Sequence, residues 1–135
     1  MPEVYNCPNQ SSVPDETSYM VVCGPTLVFH GKTERKPEEI TDPLDSTLLV
    51  IEVDGTDVHW MEPVDLTVAN MEWTVNSGDG IGSRHATKGA HALMADGSVI
   101  HLDEFVSPET LQGICLLYTS PSPRDATLSR MPSSA

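Results

Sequence analysis

The dipeptide Asp96-Gly97 constrains the fold of this chain more than any other feature. It lies between two apolar-rich segments, 89–95 and 98–102. Asp-Gly in that setting is a strong hairpin signal, because a type I′ turn needs positive φ at both central residues. With a two-residue turn, Ala95 faces Ser98, Met94 faces Val99, Leu93 faces Ile100, Ala92 faces His101 and His91 faces Leu102. One face then carries Leu93 and Ile100, the other Met94 and Val99, so both sides of the hairpin need cover. In this register His91 and His101 point to opposite sides of the sheet, which argues against joint metal ligation. A slip of one residue would reverse that inference.

The rest of the chain reads as an α+β fold, a mainly antiparallel sheet with few short helices. Residues 17–23 are β-branched and aromatic and end at Gly24-Pro25, which predicts a strand. Residues 46–53 are the best strand; the unbroken run Leu48-Leu49-Val50-Ile51 suggests a central position buried on both faces. Shorter strands are expected at 26–29 and 58–60, and one helical turn at 37–40. Residues 66–75 read equally as loose helix or strand, and 76–82 as a Gly-rich loop. Ser107 is the expected N-cap of a final helix, with Pro108 at its first position and Glu109 in its first turn.

Charge narrows the function. Lys and Arg number 7 against 20 Asp and Glu, a net charge of −13. Such a surface repels phosphate backbones and anionic lipid, which rules out sequence-independent nucleic-acid binding and disfavours anionic membrane surfaces, so no nucleic-acid partner is expected. The longest apolar run is far short of the roughly 20 residues of a bilayer span.

The candidate chemistry is sparse. Asp54, Asp57, Asp79 and the loop 78–82 could offer oxygen ligands to calcium, but they do not form an EF-hand pattern. Gly78 to Gly82 lack the spacing and the lysine of a phosphate cradle. Ser83 has no nucleophile elbow around it. Cys23 and His85 could make a thiol–imidazole pair, although Cys23 reads as a buried, inert thiol. A hydrolase built on His85 and Asp96 is disfavoured, since Asp96 is better explained as a turn residue. No catalytic residue, metal ligand or cofactor site is therefore assigned, and the chain is expected not to be an enzyme.

The residues Ser83-Arg84-His85 followed by Ala92-Leu93-Met94-Ala95-Asp96-Gly97-Ser98-Val99 resemble the C-terminal H-x9-DG signature of a pilin-like, PulG-like pseudopilin-related family, domain of unknown function 1559. The motif residues are Arg84, His85, Asp96 and Gly97. Tyr5-Asn6-Cys7-Pro8, residues 17–22 with Gly24-Pro25, 40–42 with 46–53, Trp60-Met61-Glu62-Pro63 and 107–111 resemble it too. Ten residues separate His85 from Asp96, where the family has nine. The resemblance covers about residues 4–114. It implies a pilin-like globular head lacking its N-terminal helix, a fragment of a longer prepilin-type protein, as residues 1–114. It further implies a structural subunit of a type II secretion or type IV pilin-like assembly in the cell envelope or outside the cell. Its partners would be other pilin-like subunits or itself, with membrane contact only through the missing helix. The alternative is an extracellular calcium- or polysaccharide-binding module.

Residues 115–135 differ in kind. They are rich in Ser, Pro and Thr, and the string from Cys115 to Asp125 resembles translated sequencing-adapter read-through. They are expected to be a disordered, non-native tail. Without them the net charge is −14, from 5 basic and 19 acidic residues. Two cysteines then remain, Cys7 and Cys23, too few for a cysteine-based zinc site.

Overall fold

The structure, a computed structural model, describes residues 2–9, 15–32, 34–78, 80–115 and 128–130. Its framework is one sheet built from β1 (Tyr19–Cys23), β2 (Leu48–Asp54), β3 (Leu66–Thr67), β4 (Gly80–Ile81), β5 (Gly89–Met94), β6 (Val99–Asp103) and β7 (Leu128–Arg130). The spatial order is β3-β1-β2-β5-β6-β7, with β4 paired to the end of β2. Among the described residues one α-helix, α1 (Pro108–Cys115), follows β6. The class is α+β, as expected, but the sheet is mixed. The short β3 runs parallel to β1, Val22 opposite Leu66 and Cys23 opposite Thr67. The long connection out of β2 carries the chain across to the far edge of β1, where it can arrive parallel.

β2 holds the centre, antiparallel to both β1 and β5. A bulge lies between Leu48 and Val50, which face Met94 and Leu93. It lets Leu48 and Ile51, three apart, both be buried. The buried face of the sheet carries Met20, Val22, Ile51, Val53, Ala90, Ala92, Ile100 and Leu102. It belongs to the same core as Leu111 and Ile114 of α1, Ile81 of β4, and Met71 and Val75 of the connecting segments. Ile51, Leu102 and Leu111 are fully buried, each worth about 1.5–3 kcal/mol. α1 starts where the sequence places it: the Thr110 N–H donates to Ser107 Oγ at 3.2 Å. Leu111, Ile114 and Cys115, spaced for one helix face, are its buried residues.

The hairpin forms, but its register is corrected by one residue. Leu93 faces Val99, Ala92 faces Ile100, His91 faces His101 and Ala90 faces Leu102. The Met94 N–H donates to Ser98 O at 2.8 Å and the Gly97 N–H to Met94 O at 2.9 Å. Of the loop residues 95–97, Gly97 alone has positive φ, +85°. The connection is therefore a three-residue loop with a bulge at Gly97, which Asp-Gly serves as well as the two-residue turn. Asp96 Oδ1 accepts from the Ser98 N–H at 2.8 Å and the Ser98 hydroxyl at 2.5 Å, fastening the loop.

The strands expected at 26–29 and 58–60 shrink to isolated bridges, Cys23 with Phe29 and Glu16 with His59. Pro25 and Pro63 flank them and cannot donate ladder bonds. Residues 37–39 form a 3-10 turn, Pro37–Glu39. Within the segment expected to be a disordered tail, Cys115 is buried at the end of α1 and Leu128–Arg130 pair with β6. An open strand edge offers unpaired backbone groups and accepts such pairing with little demand on sequence. The remaining tail residues, 116–127 and 131–135, lie outside the described residues, as does Asp79.

Candidate functional site

The outer face of the sheet is organised in two cross-strand rows. Val21 faces Val50, Val50 faces Leu93 and Leu93 faces Val99. One step along, Tyr19 faces Glu52, and continuing the β2–β5 ladder sets Glu52 across from His91, which faces His101. The first row is apolar and half-exposed, and the second is polar. Two segments reach over the polar row and complete a site there.

Residues 2–9 reach it through Ser18. Its hydroxyl accepts the Cys7 N–H at 2.8 Å, and its own N–H donates to Tyr5 O at 3.0 Å. Tyr5 stacks on Trp60 with ring centroids 5.6 Å apart. Residues 82–88 are folded back by Ser83, whose hydroxyl donates to Gly89 O at 2.6 Å and accepts the His85 N–H at 3.3 Å. Arg84 ties the same loop to the end of β2 through Asp54, at 3.1 Å.

Glu52 is the centre of the site, and its side chain is 3% exposed. Oε1 lies 3.0 Å from His85 Nε2. Oε2 accepts the His91 backbone N–H at 2.7 Å and lies 2.9 Å from His91 Nδ1. Burial pushes this carboxyl up, but the bonds from the His91 backbone and from both imidazoles, with the charge of His91, outweigh it and hold the group below its ordinary range. His85 Nε2 also lies 3.3 Å from Cys7 Sγ, and its Nδ1 lies 2.8 Å from Asn9 Nδ2. The three imidazoles meet edge to face, His85 and His91 with centroids 5.0 Å apart, His91 and His101 5.3 Å. Burial, then Glu52 and Cys7, push the Tyr19 phenol up, so this corner disfavours a further negative charge.

Several sequence expectations are settled by these positions. His91 and His101 share a face, contrary to the two-residue-turn register. The thiol beside His85 is Cys7; Cys23 lies 3.6 Å from Asp65 instead, with its thiol pushed up by burial and by that carboxylate. Of the motif residues, His85 enters the site, Arg84 anchors its loop, and Asp96 and Gly97 shape the hairpin turn.

Glu52 is the residue sequence reasoning passed over. Its signal was present: an acid inside the most apolar strand of the chain, at a position expected to be buried, has to find partners. Among the described residues, Cys7, Glu52 and His85 are the group of three metal-donor side chains that converges, with ligand atoms all within 4.8 Å of one another. As a nucleophile Cys7 is badly placed. It is 2% exposed, and Glu52 shares the imidazole nitrogen a general base would use.

Comparison of the chain with protein-family models, with curated proteins and with solved structures finds no match in any of the three.

Proposed function

We propose that this chain is a non-catalytic structural domain that acts by association, similar to the globular head of a type II secretion or type IV pilin-like protein of the cell envelope. The observation that carries the reading is the apolar row Val21, Val50, Leu93 and Val99, in register across four strands on the outer face. Val99 is 40% exposed and the other three are half-buried. The opposite face already has its cover in α1 and the connecting segments. An apolar row of this kind is what the stripe of an amphipathic helix packs against, and in a pilin-like subunit a helix backs the sheet. The partners are accordingly other pilin-like subunits or a second copy. The buried thiol and the carboxylate engaged by two imidazoles support a structural role for the polar row, since neither is offered to a substrate.

Sedimentation velocity with a hydrophobic dye tests the reading. The wild-type chain is expected to self-associate or bind the dye, and Leu93→Asp with Val99→Asp to abolish both while far-UV dichroism stays unchanged. A monodisperse, dye-silent wild-type monomer would overturn it.

A further inference from the structure

Three segments far apart in sequence each deliver one donor of a different element to one point on the sheet. Residues 2–9 bring sulfur from Cys7, β2 brings oxygen from Glu52, and residues 82–88 bring nitrogen from His85. We propose that Cys7, Glu52 and His85 form a zinc-binding site, and that the ion clasps residues 2–9 and the loop 82–88 to the central strand.

The donor chemistry selects the metal. Calcium and magnesium want several oxygens, whereas thiolate, imidazole and carboxylate together suit zinc, which imposes no geometry through its d electrons. The spacing also fits. Tetrahedral zinc at ordinary bond lengths sets sulfur about 3.6 Å from nitrogen and nitrogen about 3.3 Å from oxygen. Here Cys7 Sγ lies 3.3 Å from His85 Nε2, and Nε2 lies 3.0 Å from Glu52 Oε1. Both pairs open by about 0.3 Å around the ion. The third pair, Cys7 Sγ and the Glu52 oxygen, lies within 4.8 Å and closes to about 3.6 Å on binding, and the fourth position is left to water.

Charge favours it further. A thiolate and a carboxylate side by side repel each other, and a divalent cation between them reverses the sign and leaves the buried group neutral. The chain's net charge of −13 raises the local cation concentration. On binding, the Cys7 thiol loses its proton to solvent and its sulfur bonds to the metal. The proton of neutral His85 moves from Nε2 to Nδ1, leaving the Nε2 lone pair for zinc. Asn9 then turns its amide oxygen to accept Nδ1–H, the outer partner a metal-bound imidazole usually has. Glu52 keeps Oε2 on His91, which orients the carboxylate as Oε1 binds.

The whole chain, stripped with chelator and titrated with zinc, tests this by calorimetry, elemental analysis and thermal melting. One zinc per chain and a raised Tm are expected. Cobalt in its place should give a thiolate-to-metal charge-transfer band and tetrahedral visible bands. Cys23→Ser should leave the spectrum and affinity unchanged. Cys7→Ser should remove the charge-transfer band, His85→Gln should weaken zinc binding at least about 100-fold, and Asn9→Ala about 10- to 100-fold. Excess calcium should not displace zinc.

No stoichiometric zinc, a cobalt spectrum without the thiolate band, or displacement by calcium would overturn the proposal. So would a band that persists in Cys7→Ser or vanishes in Cys23→Ser. The wild-type spectrum decides the matter even if a variant fails to fold. The sedimentation result for the apolar row is independent of this outcome.

Discussion

Glu52 receives two bonds from His91: one carboxylate oxygen takes the backbone N–H at 2.7 Å and the ring Nδ1 at 2.9 Å. A side chain of β2 thus does for β5 what a backbone carbonyl would otherwise do. It also fixes the orientation of the His91 ring, which then meets His85 on one side and His101 on the other. A charged group this deeply buried persists because each of its oxygens has a partner.

Removing the carboxylate should therefore cost stability beyond the lost contacts. Glu52→Ala leaves the His91 N–H and the facing imidazoles without their acceptor, a penalty of about 1–3 kcal/mol for each buried group orphaned. Glu52→Gln keeps an acceptor oxygen and should lose less. Urea unfolding at neutral pH, read as the shift in midpoint at constant slope, compares the two.

The same group sets an acid limb. Its folded-state carboxyl titrates below the ordinary value of 4.5, so the folded state holds fewer protons than the unfolded chain in that window. The contribution is complete above the ordinary value and is lost as pH falls through the depressed one. Stability measured from neutral pH down through this range should fall more steeply in the wild-type chain than in Glu52→Gln.

The hairpin register can be read directly. Cross-strand proton contacts should link His91 to His101 and Leu93 to Val99, and not His91 to Leu102. Gly97, at φ +85°, holds the bulge that creates this register, so Gly97→Ala should cost about 1–2 kcal/mol. Asp96→Ala should cost about 0.5–1.5 kcal/mol through loss of its bond to the Ser98 N–H.

Gly89 marks a second point of close approach. A Cβ there would lie 2.2 Å from Leu102 O and 2.6 Å from His101 Nε2. Backbone on the neighbouring strand cannot step aside as a flexible side chain can. Gly89→Ala should destabilise the sheet by about 1–3 kcal/mol and shift the His101 ring resonances, while Gly31→Ala, with no atom within 4 Å of its added Cβ, should leave those resonances unmoved.

The strands and helix that carry the fold were legible in sequence where local chemistry is decisive. Residues 46–53 declare a central strand through their unbroken apolar run, and Ser107-Pro108-Glu109 declare the start of α1 by its cap. Asp96-Gly97 declares the hairpin because glycine takes the positive φ the loop needs and the aspartate side chain fastens the loop to Ser98. What stayed hidden depended on a count of one. Asp-Gly serves a two-residue and a three-residue loop alike, and a strand's side chains alternate with period two, so that single residue moved His101 to the face of His91. The site was hidden for a different reason. Cys7, Glu52 and His85 lie 33 to 78 positions apart, and no local preference relates them. Only the pairing of β1, β2 and β5, with two loops drawn over their outer face by Ser18 and Ser83, brings the three donors to one point.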